Sequence, residues 1–261
     1  MSFCLYTVAT GPYAKMAEGL VASLRDNDVQ YDFLALSNRY VNGATGTIEI
    51  EPGSKSEAYS QKIHALRTLS SLGYDYLVFI DCDVLCLSPF SLDRFDGMPC
   101  FAILEDNLEM SSGTWHSMDV KSVVSLFLSK NPDMGRPIHN LNGGFFGVRA
   151  EYCEDFVSLY EQVTEFPQSM EPGLSFAVHS MADELAALDI RQNDDLILPV
   201  VANQLVVGDP KEVLATGKVE YMSPFSGWHT WTKPSLAHFC YAHGGKRLVM
   251  DYKPKRLTPE E

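Results

Sequence analysis

Two carboxylates separated by one residue, Asp81 and Asp83, follow a short apolar run, Tyr76 to Ile80, that is rich in β-branched and aromatic side chains and comes after Gly73. Such a run reads as a buried parallel strand. Side chains alternate across a strand, so if the extended backbone persists two residues further, Asp81 and Asp83 share a face and Cys82 takes the other. Neighbouring carboxylates repel unless a cation lies between them. That points to a hard divalent metal, and a metal at such a sheet edge in an α/β protein characteristically holds a phosphate. Asp-x-Asp is also an ordinary turn sequence at a strand end. The return to apolar residues at Val84-Leu85-Cys86-Leu87 favours a site.

The elements that must position this pair are legible around it. Phe3 to Ala9 is apolar and β-prone, Thr10-Gly11-Pro12 breaks it, and Met16, Ala17, Leu20, Val21 and Leu24 recur at helical spacing. Tyr31 to Leu36 reads as a second strand and Thr47 to Ile50 as a third. Ile63, Leu66, Leu69 and Leu72 mark a helix from about Ser56 that stops at Gly73, a natural helix-ending residue. This alternation predicts an α/β fold with a Rossmann-like, mostly parallel sheet flanked by helices. Beyond it, Cys100 to Leu104 reads as a strand, Glu105 to Ser117 as a loop, and Val120, Val123, Val124, Phe127 and Leu128 as a helix ended by Asn131-Pro132. Leu141 to Arg149 reads as a strand or hairpin arm, Tyr152 to Val163 as a helix, and Asp183 to Leu188 as a helix start. Leu196 to Val207 carries β-like segments, and Ser235 to Ala242 a late strand that runs into a glycine-containing loop, His243 to Arg247.

Composition excludes several classes. The 261 residues carry 20 basic and 34 acidic side chains, a net charge of −14 that repels nucleic acid and anionic membrane. A small anionic substrate therefore needs local Lys, Arg or metal. Six cysteines show no paired spacing and mostly sit in apolar surroundings, which predicts reduced, buried thiols and a cytoplasmic location. The amino terminus lacks the pattern of an export leader, and no stretch approaches the ~20 apolar residues of a membrane span.

Separated stretches together resemble the metal-dependent GT-A glycosyltransferases of the glycogenin and lipopolysaccharide galactosyltransferase type, which are retaining enzymes using nucleotide sugars. Thr7-Val-Ala-Thr-Gly-Pro-Tyr-Ala-Lys15 is similar to the family's first strand and turn, implying that Ala9, Thr10 and Tyr13 line the uridine pocket. Gln61-Lys-Ile-His-Ala-Leu66 resembles the Thr-Lys-Leu-His helix, whose lysine, here Lys62, approaches the donor. Phe79-Ile-Asp-Cys-Asp83 matches the Asp-x-Asp whose carboxylates bind Mn²⁺ and through it the diphosphate. Leu141-Asn-Gly-Gly-Phe-Phe-Gly-Val148 resembles the Phe-Asn-Ser-Gly-Val strand, so Asn142 would face the sugar. Asp183-Glu184 stands where the family has Asp-Gln near the sugar hydroxyls, with glutamate in place of the amide. Near the carboxyl end the family supplies a third metal ligand as His-Phe or His-Tyr, followed by Gly and then Lys. Here His238-Phe239 fits the first part, Gly244 and Lys246 come two residues late, and His243 competes with His238.

The resemblance implies a single GT-A domain over residues 1–250, with a nucleotide-binding half at 1–98, an acceptor-side half at 99–250 and a tail at 251–261. It implies transfer of glucose or galactose from a UDP-sugar to a carbohydrate or glycosylated acceptor, with Mn²⁺ or Mg²⁺ as cofactor. Mn²⁺ is favoured by the imidazole ligand. Lys246 would add charge at the diphosphate, with Lys62 and Arg67 as further candidates, and Asp183 and Glu184 would stand near the anomeric carbon. Asp81-Cys-Asp-Val-Leu85 also resembles the first motif of haloacid dehalogenase-type phosphatases, in which the first aspartate is a nucleophile. That motif normally opens its domain, whereas strand and helix precede it here. A nucleotide-sugar-binding module without turnover is a further reading.

Overall fold

The computed structural model describes residues 1–110, 113–115, 118–134, 137–163, 169–181, 187–189, 197–199, 205–207, 215–216, 218–223, 227–232, 235–239 and 243–253. In chain order the elements are β1 (Phe3–Val8), α1 (Tyr13–Asp26), β2 (Asp32–Ser37), β3 (Gly46–Glu49), α2 (Lys55–Leu69), β4 (Tyr76–Ile80), β5 (Val84–Cys86), β6 (Cys100–Asn107), β7 (Thr114–Trp115) and β8 (Met118–Asp119). There follow α3 (Val120–Lys130), β9 (His139–Arg149), α4 (Cys153–Tyr160), α5 (Glu171–Met181), β10 (Ala187–Asp189), β11 (Ile197–Pro199), β12 (Leu205–Val207), β13 (Lys218–Ser223), β14 (Gly227–Thr232), β15 (Leu236–His238) and α6 (His243–Met250). The chain divides into two compact units, one of Met1–Tyr6, Pro52–Ile80 and Leu92–Gln192, the other of Thr7–Glu51, Asp81–Ser91 and Asn193–Glu261.

The first unit is built on the strand order β10-β6-β9-β4-β1. β4 lies parallel to β1 and antiparallel to β9, β6 is also antiparallel to β9, and β10 returns to a parallel pairing with β6. Every residue of β4 is buried, which accounts for its unbroken apolar composition. α2 starts at a capping box: Ser54 Oγ accepts from the Glu57 amide while Glu57 reaches back to the Ser54 amide. A 3-10 turn then ends at Gly73, which adopts φ 87°, the left-handed conformation expected of a helix-ending glycine. Phe79 stacks on Phe146 at 5.1 Å between ring centres. A second core gathers Leu108, Trp115, Val123, Phe127, Ile138 and Phe176 under α3 and α5.

In the second unit β2 lies parallel to β3. A separate three-stranded sheet runs β11-β15-β5, in which β15 is antiparallel to β5 and parallel to β11, and β12-β13-β14 form a third, antiparallel sheet. α1 is tied to β5 by the Cys86 amide donating to Ser23 Oγ at 2.9 Å and by Asn27 Nδ2 donating to the Cys86 carbonyl at 3.0 Å. α6 lies against α1 so closely that a Cβ on Gly19 would stand 1.8 Å from the Val249 carbonyl oxygen.

Several expectations are revised. β4 ends at Ile80, so the two aspartates do not share the face of a continuing strand; they belong to a turn in which the Val84 amide donates to the Asp81 carbonyl at 3.2 Å. Residues 105–107 extend β6 instead of opening a loop. Ala187 and Leu188 belong to a strand. The glycine-containing segment from His243 is the first turn of α6. α5 has no counterpart in the sequence reading, because Pro172 and Gly173 disguise it. Proline is harmless in a first helical turn, where its missing N–H has no helical partner, and a Cβ on Gly173 would stand 2.5 Å from Tyr160 Cδ2.

Candidate functional site

The turn after β4 and the end of β15 bring three donor groups together. β15 runs antiparallel to β5 with His238 opposite Val84, so its imidazole is delivered beside the residues that precede β5. His238 Nε2 stands 3.4 Å from Asp81 Oδ2 and 3.2 Å from Asp83 Oδ1. One donor atom from each of Asp81, Asp83 and His238 lies within 4.8 Å of the others. Lys246, in the first turn of α6, places Nζ 2.9 Å from Asp83 Oδ2. Asp83 and His238 are buried, whereas Lys246 is partly exposed.

Burial by itself would push the Asp83 carboxyl up. Positive charge on His238 and Lys246 overcomes that and holds it well below the usual carboxylate range. The same pairing works in the other direction on Lys246: burial opposes its charge, but the Asp83 carboxylate raises its ammonium above the ordinary lysine value. Asp83 is therefore an ionised acceptor at neutral pH, and one of its oxygens, Oδ1, is buried with no well-formed hydrogen bond, its neighbour being His238 Nε2 at 3.2 Å. A buried anionic oxygen left in this state is costly unless a cation satisfies it.

These donors suit a divalent metal. Carboxylate oxygens and an imidazole nitrogen bind such ions at about 2.0–2.2 Å, so ligands on adjacent positions lie roughly 3 Å apart. The approaches of His238 to the two carboxylates fall close to that spacing. Among the described residues His238 is the histidine of this cluster. For His243 and Gly244 the described structure extends to the backbone of α6, and the His243 side chain lies outside it.

The remaining sequence-derived candidates fall in various surroundings. Ala9 is buried, its amide donating to the Leu36 carbonyl at 2.9 Å and its carbonyl accepting from Ser37 Oγ at 2.6 Å. Thr10 is half-buried, and Tyr13 opens α1 with 47% of its surface exposed, close enough to add to the electrostatic environment of Lys246. Gly11 between them has φ 59°, and its amide donates to Asn38 Oδ1 at 2.8 Å. Lys62 is buried, with Nζ 4.8 Å above the Phe79 ring and 5.4 Å from that of Tyr59. Arg67 is engaged elsewhere: its guanidinium binds Glu154 in the first turn of α4 and Glu161 just past its last residue, joining α2 to α4.

Asn142 is buried at an irregularity of β9, where the register with β6 jumps from Ala102–Phe146 to Ile103–Asn142. Its Oδ1 accepts from the Gly144 amide at 2.8 Å. The sequence reading missed Glu171, the first residue of α5, whose Oε1 accepts from the Gly143 amide at 3.4 Å. An acidic residue before an apolar run with helical period was the available signal, and Pro172-Gly173 masked it. Asp183 and Glu184 lie outside the described residues.

No family model matches the chain, and no curated protein matches it. Among solved structures, one described as the WbbM bifunctional glycosyltransferase apo structure is similar with a TM-score of 0.53 at 13% sequence identity, over 76% of this chain and 40% of that one. The α/β fold is thus glycosyltransferase-like, a mostly parallel sheet flanked by helices, and this chain matches less than half the length of that neighbour. Among the described residues no helix is long and apolar enough to cross a membrane.

Proposed function

We propose that the chain is a metal-dependent glycosyltransferase that moves a hexosyl group, glucose or galactose, from a UDP-sugar to a carbohydrate or glycosylated acceptor with retention of anomeric configuration. The observation that carries this reading is the grouping of donor atoms from Asp81, Asp83 and His238 within 4.8 Å of one another, with Lys246 alongside. The glycosyltransferase-like fold supports it.

Asp81, Asp83 and His238 would hold Mn²⁺ or Mg²⁺. When bound, the ion supplies Lewis acidity at the departing diphosphate. Lys246 adds a fixed positive charge to the same leaving group, and a preorganised cation of this kind stabilises charge that develops only as the sugar departs. Ala9, Thr10 and Tyr13 are assigned to the uridine, Lys62 to the donor, and Asn142, Asp183 and Glu184 to the sugar, on the strength of the sequence resemblance. Retention requires either a carboxylate nucleophile or attack from the face of the leaving group, and Asp183 and Glu184 are the carboxylates assigned to that step.

The test is incubation with UDP-glucose or UDP-galactose in the presence of Mn²⁺ or of EDTA, with UDP release as the readout. Metal-dependent release that is lost in Asp81→Ala and Asp83→Ala supports the proposal. Phosphate release from phosphomonoesters without turnover of either nucleotide sugar replaces it with a phosphatase. Saturable UDP binding without turnover replaces it with a binding module.

A further inference from the structure

We propose that Lys246 is a resident counter-cation for Asp83, which yields the carboxylate to a divalent metal when a nucleoside diphosphate takes up the lysine's charge. Metal retention is thereby coupled to binding of the diphosphate. The inference rests on reading the Asp81–Asp83–His238 cluster as a metal centre for a nucleotide diphosphate.

The two oxygens of Asp83 have unlike surroundings. Oδ2 is held by the Lys246 ammonium at 2.9 Å, whereas Oδ1 is buried beside the His238 imidazole, 3.2 Å from its Nε2. Oδ1 belongs to the same group of donors as Asp81 and His238, so a dication bound there would sit across one carboxylate from an ammonium. Opposite faces of a single carboxylate that is only 10% exposed do not screen two such cations from each other. In the absence of another anion, lysine and metal therefore compete for Asp83.

The position of Lys246 supplies the release. It lies in the first turn of α6, where backbone N–H groups already project positive charge and where a lysine is electrostatically misplaced. That turn contains no acidic residue. The ammonium is held against this field by Asp83, and a diphosphate is a better partner for both the helix end and the lysine. The side chain is 22% exposed, and a flexible four-carbon stem allows its head to change partner without moving the helix. Thermodynamic reciprocity then requires that a diphosphate tighten the metal as the metal tightens the diphosphate.

Mn²⁺ titration followed by the electron paramagnetic resonance signal of free Mn²⁺ tests this on the full chain, with Lys246→Met, Lys246→Arg and wild type, each without and with saturating UDP. Without UDP, Lys246→Met binds Mn²⁺ about fivefold more tightly than wild type, the scale of one partly exposed ion pair. Lys246→Arg, which keeps the competing charge, stays close to wild type. With UDP the order reverses, and Lys246→Met binds Mn²⁺ more weakly than wild type. Equal affinities of wild type and Lys246→Met without UDP overturn the competition while leaving the metal centre standing, and a tighter Lys246→Met that fails to reverse with UDP overturns the coupling. Absence of Mn²⁺ binding by wild type and Lys246→Met in both conditions overturns the metal centre and the inference with it. Lys246→Gln replaces Lys246→Met if circular dichroism shows the latter unfolded.

Discussion

The Phe239 amide donates to the Asp83 carbonyl at 3.1 Å, one residue beyond the point where β15 pairs with β5. This main-chain link continues the ladder into the turn after β4 and fixes the height of His238 against the two aspartates. The third donor is thus set by strand register, with no dependence on a side-chain rotamer elsewhere.

From this follows the behaviour of His238→Ala. Removing the imidazole leaves two carboxylates to hold the ion and should weaken Mn²⁺ by at least about tenfold, the scale on which even outer partners of metal ligands act. Because β15 pairs through its backbone, the fold persists. Calorimetric titration with Mn²⁺ measures the loss, and a retained cooperative thermal transition separates it from unfolding.

A packing contact remote from any donor atom should have a similar reach. A Cβ at Gly19 would stand 1.8 Å from the Val249 carbonyl oxygen, and a backbone atom cannot swing aside as a side-chain tip can. Gly19→Ala therefore forces α6 off α1 at a cost of about 3 kcal/mol. Since Lys246 rides on α6, the displaced helix withdraws the ammonium from Asp83. The expected result is a lowered unfolding midpoint together with altered Mn²⁺ affinity, both read on the same preparation.

The parts of the fold that were legible in sequence are those whose determinants are local. β1, β2 and β4 are built on apolar runs, and α1 and α2 show helical periodicity followed, for α2, by a glycine that is left-handed in the structure. Asp81 and Asp83 stand out in the sequence because two carboxylates one residue apart need no tertiary information to be seen as a pair. The way they meet was not legible: the turn that replaces a sixth strand residue depends on β5 being captured by β15, far along the chain. In sequence His238 and His243 compete, with only the neighbouring Phe239 to favour His238, and the register of β15 against β5 is beyond reach. Arg67 looked available for a diphosphate in sequence, whereas its carboxylate partners come from a helix that only packing brings to it. α5 was hidden because Pro172 and Gly173 are helix breakers by composition yet tolerated in a first turn.

Arg67 provides a control for the cationic assignments. Its guanidinium donates to both Glu154 and Glu161 on the surface, so Arg67→Gln removes an exposed ion-pair network and no group assigned to the donor. Exposed pairs contribute little and are screened by salt. Arg67→Gln should lower the unfolding midpoint slightly, by an amount that shrinks at high ionic strength, and leave UDP release from a UDP-sugar at the wild-type rate. A large loss of turnover would return Arg67 to the diphosphate.

His179 should give the protein a pH dependence unrelated to the metal cluster. It is buried on α5, its Nε2 accepts from the His139 amide at 2.9 Å, and burial, reinforced by charge on His139, lowers its pKa to about 4. The unfolded chain takes up a proton near pH 6.5, where the folded one does not. Below that value the unfolded state binds more protons, so stability is fully present above about pH 6.5 and falls as pH drops towards 4, by up to a few kcal/mol in all. Urea unfolding at pH 7, 6 and 5 should show a falling midpoint. In His179→Leu the His139 amide loses its acceptor, which lowers stability by about 1–3 kcal/mol at pH 7, but the decline between pH 7 and 5 becomes shallower. A decline of the same steepness in His179→Leu would assign the pH dependence to other groups.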